Sequence, residues 1–308
     1  MITLHQALQD YVSMRQGLGY KFVQQAQHLE QFVVFMRERG AVIITTKLAV
    51  EWATLSPGRH ASWAIRLTDV RGFAQHLRNL EPRTEIPPTG LLPYQGRTQP
   101  YLYTDTEIQA LLTAAMALPP EHGLRRWTYH CLFGLLSVTG LRISEALALQ
   151  RDAVDLTTGM LEIRGTKFGK SRLVPLHPSA QQVLADYALR RDDHFGVPRS
   201  AYFLVAERGG RLFPQNVYKV FHQLSRQIGL RGPSIPATPR LHDFRHRFAV
   251  TTLINWYRSG QRIETVLPIL STYLGHSCVR DTYWYLSACP ELLEIATRRL
   301  EQSWEVAS

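Results

Sequence analysis

Apolar residues recur at helical spacing along most of this chain. Leu4, Leu8 and Tyr11 share one helix face, and Phe22, Leu29, Phe32, Val33 and Met36 define a second helix that stops at Gly40. Thr45 or Thr46 is placed to cap a short helix through Trp52. After the turn SPGRH, the residues Trp63, Leu67, Val70, Phe73, Ala74 and Leu77 mark a fourth. The pattern over 3–80 therefore predicts a small all-helical bundle. Residues 81–100 then carry five prolines in twenty positions, a composition that resists both helix and strand and runs extended.

A second domain opens with TDTE, a capping box that starts a helix at about Thr106. An apolar helix follows over about 121–138, broken at Thr139-Gly140, and then a short helix carrying Arg142 and Glu145. Two strands at about 160–164 and 172–176, joined by the turn TKFGK, form a β-hairpin. Beyond Ser179 the pattern is helical again, at about 179–194, 215–229, 243–259, 262–274, 279–288 and 291–303. The predicted fold is mainly α, with a helical bundle (1–85), a proline-rich linker (86–100) and a mostly helical domain with a small antiparallel hairpin (101–308).

Composition narrows the functional class. The 308 residues are 45% hydrophobic and 19% charged, which is globular rather than disordered, and the net charge of +10 favours a polyanionic partner such as nucleic acid. The excess is spread along the chain: residues 1–97 hold 11 lysines and arginines against 7 acids, and the remainder 24 against 18. Arg15, Lys21, Arg59, Arg66, Arg71 and Arg78 fall on the predicted outer faces of the bundle. A partner is thus expected to be gripped by folded surfaces of both domains. Cys131, Cys278 and Cys289 are odd in number and lack metal-ligand spacing, as in a reducing cytoplasm. The N-terminus has no basic and apolar signal segment, and no apolar run reaches the roughly 20 residues that a membrane span requires.

Four clusters carry candidate chemistry: TGLRISE (139–145), TKFGKSR (166–172), LHDFRH (241–246) and LGHSCVRDTYWYL (274–286). They offer Arg142, Lys167, His242, Arg245 and His276 as donors or proton carriers, and Tyr285 as a nucleophile. So many cations repel one another unless an anion sits among them. A phosphodiester is such an anion, and a tyrosine beside it can attack phosphorus without a metal. Singly, each cluster has a bland reading. An Arg-x-x-Glu pair is more often a surface ion pair than a site, and two lysines in a turn are commonly just solvated. His242 and His246 stand four apart, as in a zinc site, but Asp243 occupies the place of the catalytic glutamate and no third ligand is evident, so no metal is expected.

Order, residue types and spacings together closely resemble the tyrosine recombinase (phage integrase) family. Its pattern reads Arg, Lys on a hairpin, His-x-x-Arg, His or Trp, and Tyr nine residues on. The resemblance implies Arg142, Lys167, His242, Arg245, His276 and Tyr285 as catalytic residues, with Glu145 in support and Lys170, Arg172 and His246 as DNA contacts. Aromatic neighbours Tyr283 and Trp284 crowd the nucleophile, and the spacing from His276 selects Tyr285. Implied chemistry is cofactor-free cutting and rejoining of double-stranded DNA through a 3′-phosphotyrosine. Lacking an arm-binding segment before the bundle, the chain looks like the two-domain Xer recombinases. The segment LPILSTYLGH leans instead to integrases and transposases of mobile elements. A catalytically silent DNA-binding accessory protein and a type IB topoisomerase-like enzyme are the alternative readings. The family also implies a tetramer on two duplexes. There the apolar positions Leu292, Leu293, Ala296, Leu300 and Trp304 of the last helix would dock on a neighbouring subunit.

Overall fold

The computed structural model describes residues 3–55, 60–94, 99–165, 171–232, 238–287 and positions 291, 294, 297 and 298. The chain divides into two compact units, Met1–Thr98 and Gln99–Ser308. The hairpin tip with Lys167 and Lys170, and the apolar positions of the last helix, lie outside the described residues.

The first unit holds α1 (Leu4–Gly17), α2 (Val23–Glu38), α3 (Thr46–Thr54) and α4 (His60–Leu77). Thr3 caps α1 by accepting from the Gln6 amide at 3.2 Å, and Thr45 caps α3 by accepting from Leu48 at 3.3 Å. The residues that repeat at helical spacing fill the centre: Leu8, Leu29, Phe32, Met36, Trp52, Leu67 and Phe73 are all buried. Burying a side chain of this size stabilises by about 1.5–3 kcal/mol relative to leaving it exposed.

Two of the outward basic residues have structural employment. Arg66 lies over the Trp52 ring at 3.9 Å. Arg71 donates from Nε to the Pro87 carbonyl at 2.7 Å and from Nη2 to the Pro88 carbonyl at 2.8 Å. The Glu85 amide also donates to Ile44 O, its carboxylate accepts from the Thr46 amide, and Ile86 and Leu92 sit against the bundle core. The start of the proline-rich stretch is therefore strapped to the bundle.

The second unit runs α5 (Asp105–Met116), α6 (Arg125–Thr139), α7 (Ile143–Ala148), β1 (Val154–Asp155), β2 (Met160–Ile163), β3 (Arg172–Pro175), α8 (Pro178–Phe195), α9 (Pro214–Gln227), α10 (Asp243–Arg258), α11 (Ile263–Leu274) and α12 (Arg280–Ser287). Thr104 and Glu107 form a reciprocal capping box at α5. The sheet order is β1-β2-β3, all antiparallel, with Leu161 opposite Val174 and Ile163 opposite Arg172. Strand β1 is too short to leave a period-two signal, so the pattern pointed only to the hairpin.

One core joins α5, α6, α8 and α9 to the sheet around Leu111, Leu132, Phe133 and Phe221; a second, around Leu253, Leu267, Leu270 and Leu274, joins α10, α11 and α12. Phe244 at the start of α10 belongs to the first core while Ala249 and Val250 belong to the second. Helix α10 thus ties the two together. Among the described residues, no helix is long and apolar enough to cross a membrane.

Candidate active site

The site is built where two helices end on glycine. Helix α6 stops at Gly140 and α11 at Gly275, both left-handed, with φ of 60° and 66°. A helix C-terminus leaves its last carbonyls without intrahelical partners and carries partial negative charge. Here arginines take those carbonyls. Arg142 donates from Nη2 to Gly275 O at 3.1 Å and from Nη1 to Leu274 O at 3.4 Å. Arg245 donates from Nη2 to Leu274 O at 2.6 Å and from Nη1 to Gly140 O at 2.9 Å. Arg172 donates from Nε to Tyr273 O at 2.7 Å. Three guanidinium groups, from α10, β3 and the residue before α7, therefore converge on the end of α11.

Glu145 offsets part of this charge. Its Oε1 accepts from Arg142 Nη1 at 2.9 Å and from Arg172 Nη1 at 3.1 Å, and its Oε2 accepts from the Arg142 amide at 3.0 Å and from Arg172 Nη2 at 2.9 Å. Burial alone would raise the Glu145 carboxyl; the hydrogen bonds from Arg172 and Arg142 outweigh it and hold the pKa below its ordinary value. Arg172 is accordingly turned inward, only 10% exposed, with its guanidinium spent on Glu145 and Tyr273. In the structure Arg172 is held by these internal partners. Arg142 keeps more access, at 33%.

The His-x-x-Arg segment opens α10. Asp243 is fully buried, and Arg240 holds it from Nη2 to Oδ1 at 2.8 Å and from its amide to Oδ2 at 2.8 Å. Both carboxylate oxygens are thus committed to fixing the start of the helix. Arg245 is buried at 2%, and burial, followed by the charge of Arg142, pushes its pKa down to about 10, against a raising contribution from Tyr285; it stays cationic at neutral pH. His242 is exposed at the rim, yet partial desolvation and then the Arg245 charge keep it below its usual value. No group of three or more potential metal ligands occurs among the described residues.

Tyr285, on α12, is 3% exposed and makes a side-chain hydrogen-bonding contact with Arg245. Two imidazoles flank its ring. His276 lies parallel at 6.0 Å and 18°, and His246 meets it edge-on at 5.4 Å and 65°. His246 in turn touches the His242 ring at 4.9 Å. Desolvation, then neighbouring positive groups, push both His246 and His276 down to about 4, so both are neutral at pH 7. Tyr283 points elsewhere and is 55% exposed. The structure thus brings Arg142, Glu145, Arg172, His242, Arg245, His246, His276 and Tyr285 into one cluster.

Sequence reasoning overlooked three contributors. Thr282 is fully buried and its Oγ1 lies 2.7 Å from His276 Nδ1. Phe248 closes against Gly140, where a Cβ would fall 2.6 Å from its ring. Tyr273 supplies the carbonyl that orients Arg172. The first and last are separations of 6 and 101 residues that leave no periodic trace; Phe248, by contrast, follows the His-x-x-Arg motif closely enough to have been suspected.

The chain is similar to known proteins over most of its length. The sequence model of the phage integrase family matches residues 102–291. The chain is 49% identical to a putative integrase/recombinase, y4rB, of Sinorhizobium fredii, over 99% of each chain. It is 30% identical to the tyrosine recombinase XerD of Bradyrhizobium diazoefficiens, over 79% of this chain and 76% of that one. Among solved structures, its fold is similar to the integrase of transposon Tn1549 in complex with transposon right end DNA. That likeness has a TM-score of 0.71 at 14% identity and covers 97% of this chain and 99% of the other.

Proposed function

Because the chain belongs to the phage integrase family, and is by that membership a tyrosine-type site-specific recombinase, we propose a division of labour among the residues of its cluster. Tyr285 Oη attacks a DNA phosphorus, the bond from phosphorus to the 5′-oxygen breaks, and a 3′-phosphotyrosine and a free 5′-hydroxyl result. The 5′-hydroxyl of a second strand then attacks the phosphotyrosine, restoring the diester and releasing the tyrosine. Bond energy is conserved throughout, so the exchange needs neither nucleotide nor metal. Arg142, Arg245 and His276 bind the non-bridging oxygens as charge grows on them. Arginine suits this because it holds two oxygens at once and does not lose its proton at neutral pH.

His242, kept neutral near pH 7, is the residue that takes the tyrosine proton. Lys167 donates to the leaving 5′-oxygen. Glu145 and Arg172 set the position of Arg142, and Lys170 is left as a DNA contact. Tyr285 and Arg245 are both almost fully covered in the free protein. DNA binding therefore has to open the space between α10 and α12 before a phosphate can reach either.

The bundle of residues 1–85 and the catalytic unit from 101 onward each contact double-stranded DNA, and active complexes are tetramers on two duplexes. The enzyme works in the cytoplasm on the DNA of a mobile element. The likeness to a transposon integrase and to a putative integrase/recombinase supports that biological role.

The single observation that carries the reading is the position of Tyr285 against Arg245 and between His246 and His276. A nicked suicide substrate, drawn from the ends of the carrying element and incubated with excess chelator, tests it. A protein–DNA adduct that survives denaturation is expected. DNA binding with no adduct would point instead to a catalytically silent accessory protein.

A further inference from the structure

Nothing about the histidine reading requires Thr282, yet among the described residues it is a fully buried polar residue of α12. Its side chain is fully buried, three residues before the nucleophile, and its Oγ1 lies 2.7 Å from His276 Nδ1. Its backbone amide is already committed, donating to Val279 O at 2.8 Å. The hydrogen bond that the structure gives the Thr282 hydroxyl is to His276 Nδ1. A buried hydroxyl that donates nothing costs free energy, so its proton goes to that nitrogen.

From this geometry we infer that Thr282 is a positioning residue that sets the tautomer of His276: the hydroxyl donates to Nδ1 and so leaves the imidazole proton on Nε2. The inference rests on the reading of His276 as a donor to the scissile phosphate and deepens it. A neutral imidazole has one N–H to give. His276 is held neutral at pH 7 by burial and by the Arg245 and Arg142 charges. With the wrong tautomer it would face the phosphate with a lone pair and repel it. Thr282 thus prepares the donor before DNA arrives, the same logic by which a second residue orients a ligating or catalytic histidine elsewhere.

The neighbourhood of His276 is compatible with this assignment. On its own segment stands Asp281; α10 contributes Arg245, and Arg142, from before α7, and Arg172, from β3, act on it at the end of α11. The acid among the groups that act on it, Asp281, raises the histidine but less than the arginines lower it. The same Thr282 side chain fixes α12 to the loop that follows Gly275, so the donor and the nucleophile share one anchor.

The test compares Thr282→Val, which keeps shape and loses the hydroxyl, with Thr282→Ser, which keeps the hydroxyl. Nitrogen-15 histidine spectra of the full-length protein report the tautomer directly, and suicide-substrate trapping reports cleavage. Wild type and Thr282→Ser should show His276 protonated on Nε2. Thr282→Val should lose that preference and cleave roughly tenfold more slowly, the loss of one net hydrogen bond, with DNA affinity unchanged. A wild-type spectrum with the proton on Nδ1 would overturn the inference. So would a Thr282→Val protein that keeps the Nε2 tautomer and the wild-type rate. Failure of wild type itself to form an adduct would strike the reading of the site and not the tautomer, which the spectra measure without DNA.

Discussion

Arg142 and Arg245 meet at one backbone atom, the carbonyl oxygen of Leu274, which accepts from Arg142 Nη1 at 3.4 Å and from Arg245 Nη2 at 2.6 Å. Two cations that would otherwise repel are held in register by the end of a helix. Each cation at such a terminus gains about 0.3–1 kcal/mol, and the partial charges of successive carbonyls spread the benefit over both. The spacing of the two guanidinium groups is thus a property of where α11 stops.

Arg142→Lys keeps the charge and loses the planar fork. A lysine cannot reach Glu145, Leu274 O and Gly275 O together and still present two donors to a phosphate. Single-turnover cleavage should fall by about a hundredfold, the usual cost of a lost transition-state donor, with little change in DNA affinity. Near-normal cleavage would reduce Arg142 to bulk positive charge.

Glu145→Ala removes the carboxylate shared by Arg142 and Arg172. Arg172, only 10% exposed, is then left with an unbalanced charge. Breaking such a buried pair destabilises by about 3–5 kcal/mol, which a chemical denaturation midpoint reads directly. Glu145→Gln should recover part of the stability, because it can still accept a hydrogen bond. If both variants unfold like wild type, the guanidinium network contributes nothing to the fold.

Gly275→Ala forces a side chain onto a residue with φ of 66° and puts its Cβ 2.8 Å from Arg172 Nη1. Strain of about 1–2 kcal/mol is expected from the backbone, and the Arg172–Glu145 contact has to shift as well. Cleavage should drop more than stability does. An equal loss at a solvent-exposed glycine such as Gly229, also at positive φ, would remove the link to the arginines.

His246 and His276 are both held at about 4 in the folded protein, against about 6.5 for an unperturbed histidine. Between those values the unfolded chain binds more protons than the folded one, so stability falls as pH drops from about 6.5 towards 4. Thermal melts from pH 7.5 down to 4.5 should show the fall, and the His246→Asn, His276→Asn double variant should show a shallower one. Parallel slopes would mean that neither ring is buried as a neutral group.

The helices and the cluster were legible for different reasons. Each long helix shows its buried face within its own sequence, as Leu67, Val70, Phe73 and Ala74 do on α4. Arg142, Arg245, His276 and Tyr285 were legible through fixed intervals between motifs. What escaped were relations that the fold alone creates. The resemblance implies a DNA contact at Arg172, and the sequence shows only that it follows a lysine-rich turn. Its inward course depends on Glu145, 27 residues back, and on the pairing of β3 with β2. The proline-rich segment carries no hint that Arg71 will take the Pro87 and Pro88 carbonyls. Asp243 read as a weak substitute for a catalytic acid until its pairing with Arg240 explained it.

The account stands or falls on which oxygen becomes joined to DNA. Covalent adduct from a nicked suicide substrate, digested with protease and sequenced by mass spectrometry, identifies that residue. The prediction is a nucleotide remnant on Tyr285, with Tyr285→Phe binding DNA but yielding no adduct, since Tyr285 alone of the two neighbouring tyrosines is buried against Arg245, while Tyr283 is 55% exposed. A remnant on Tyr283, or an undiminished adduct from Tyr285→Phe, would contradict it.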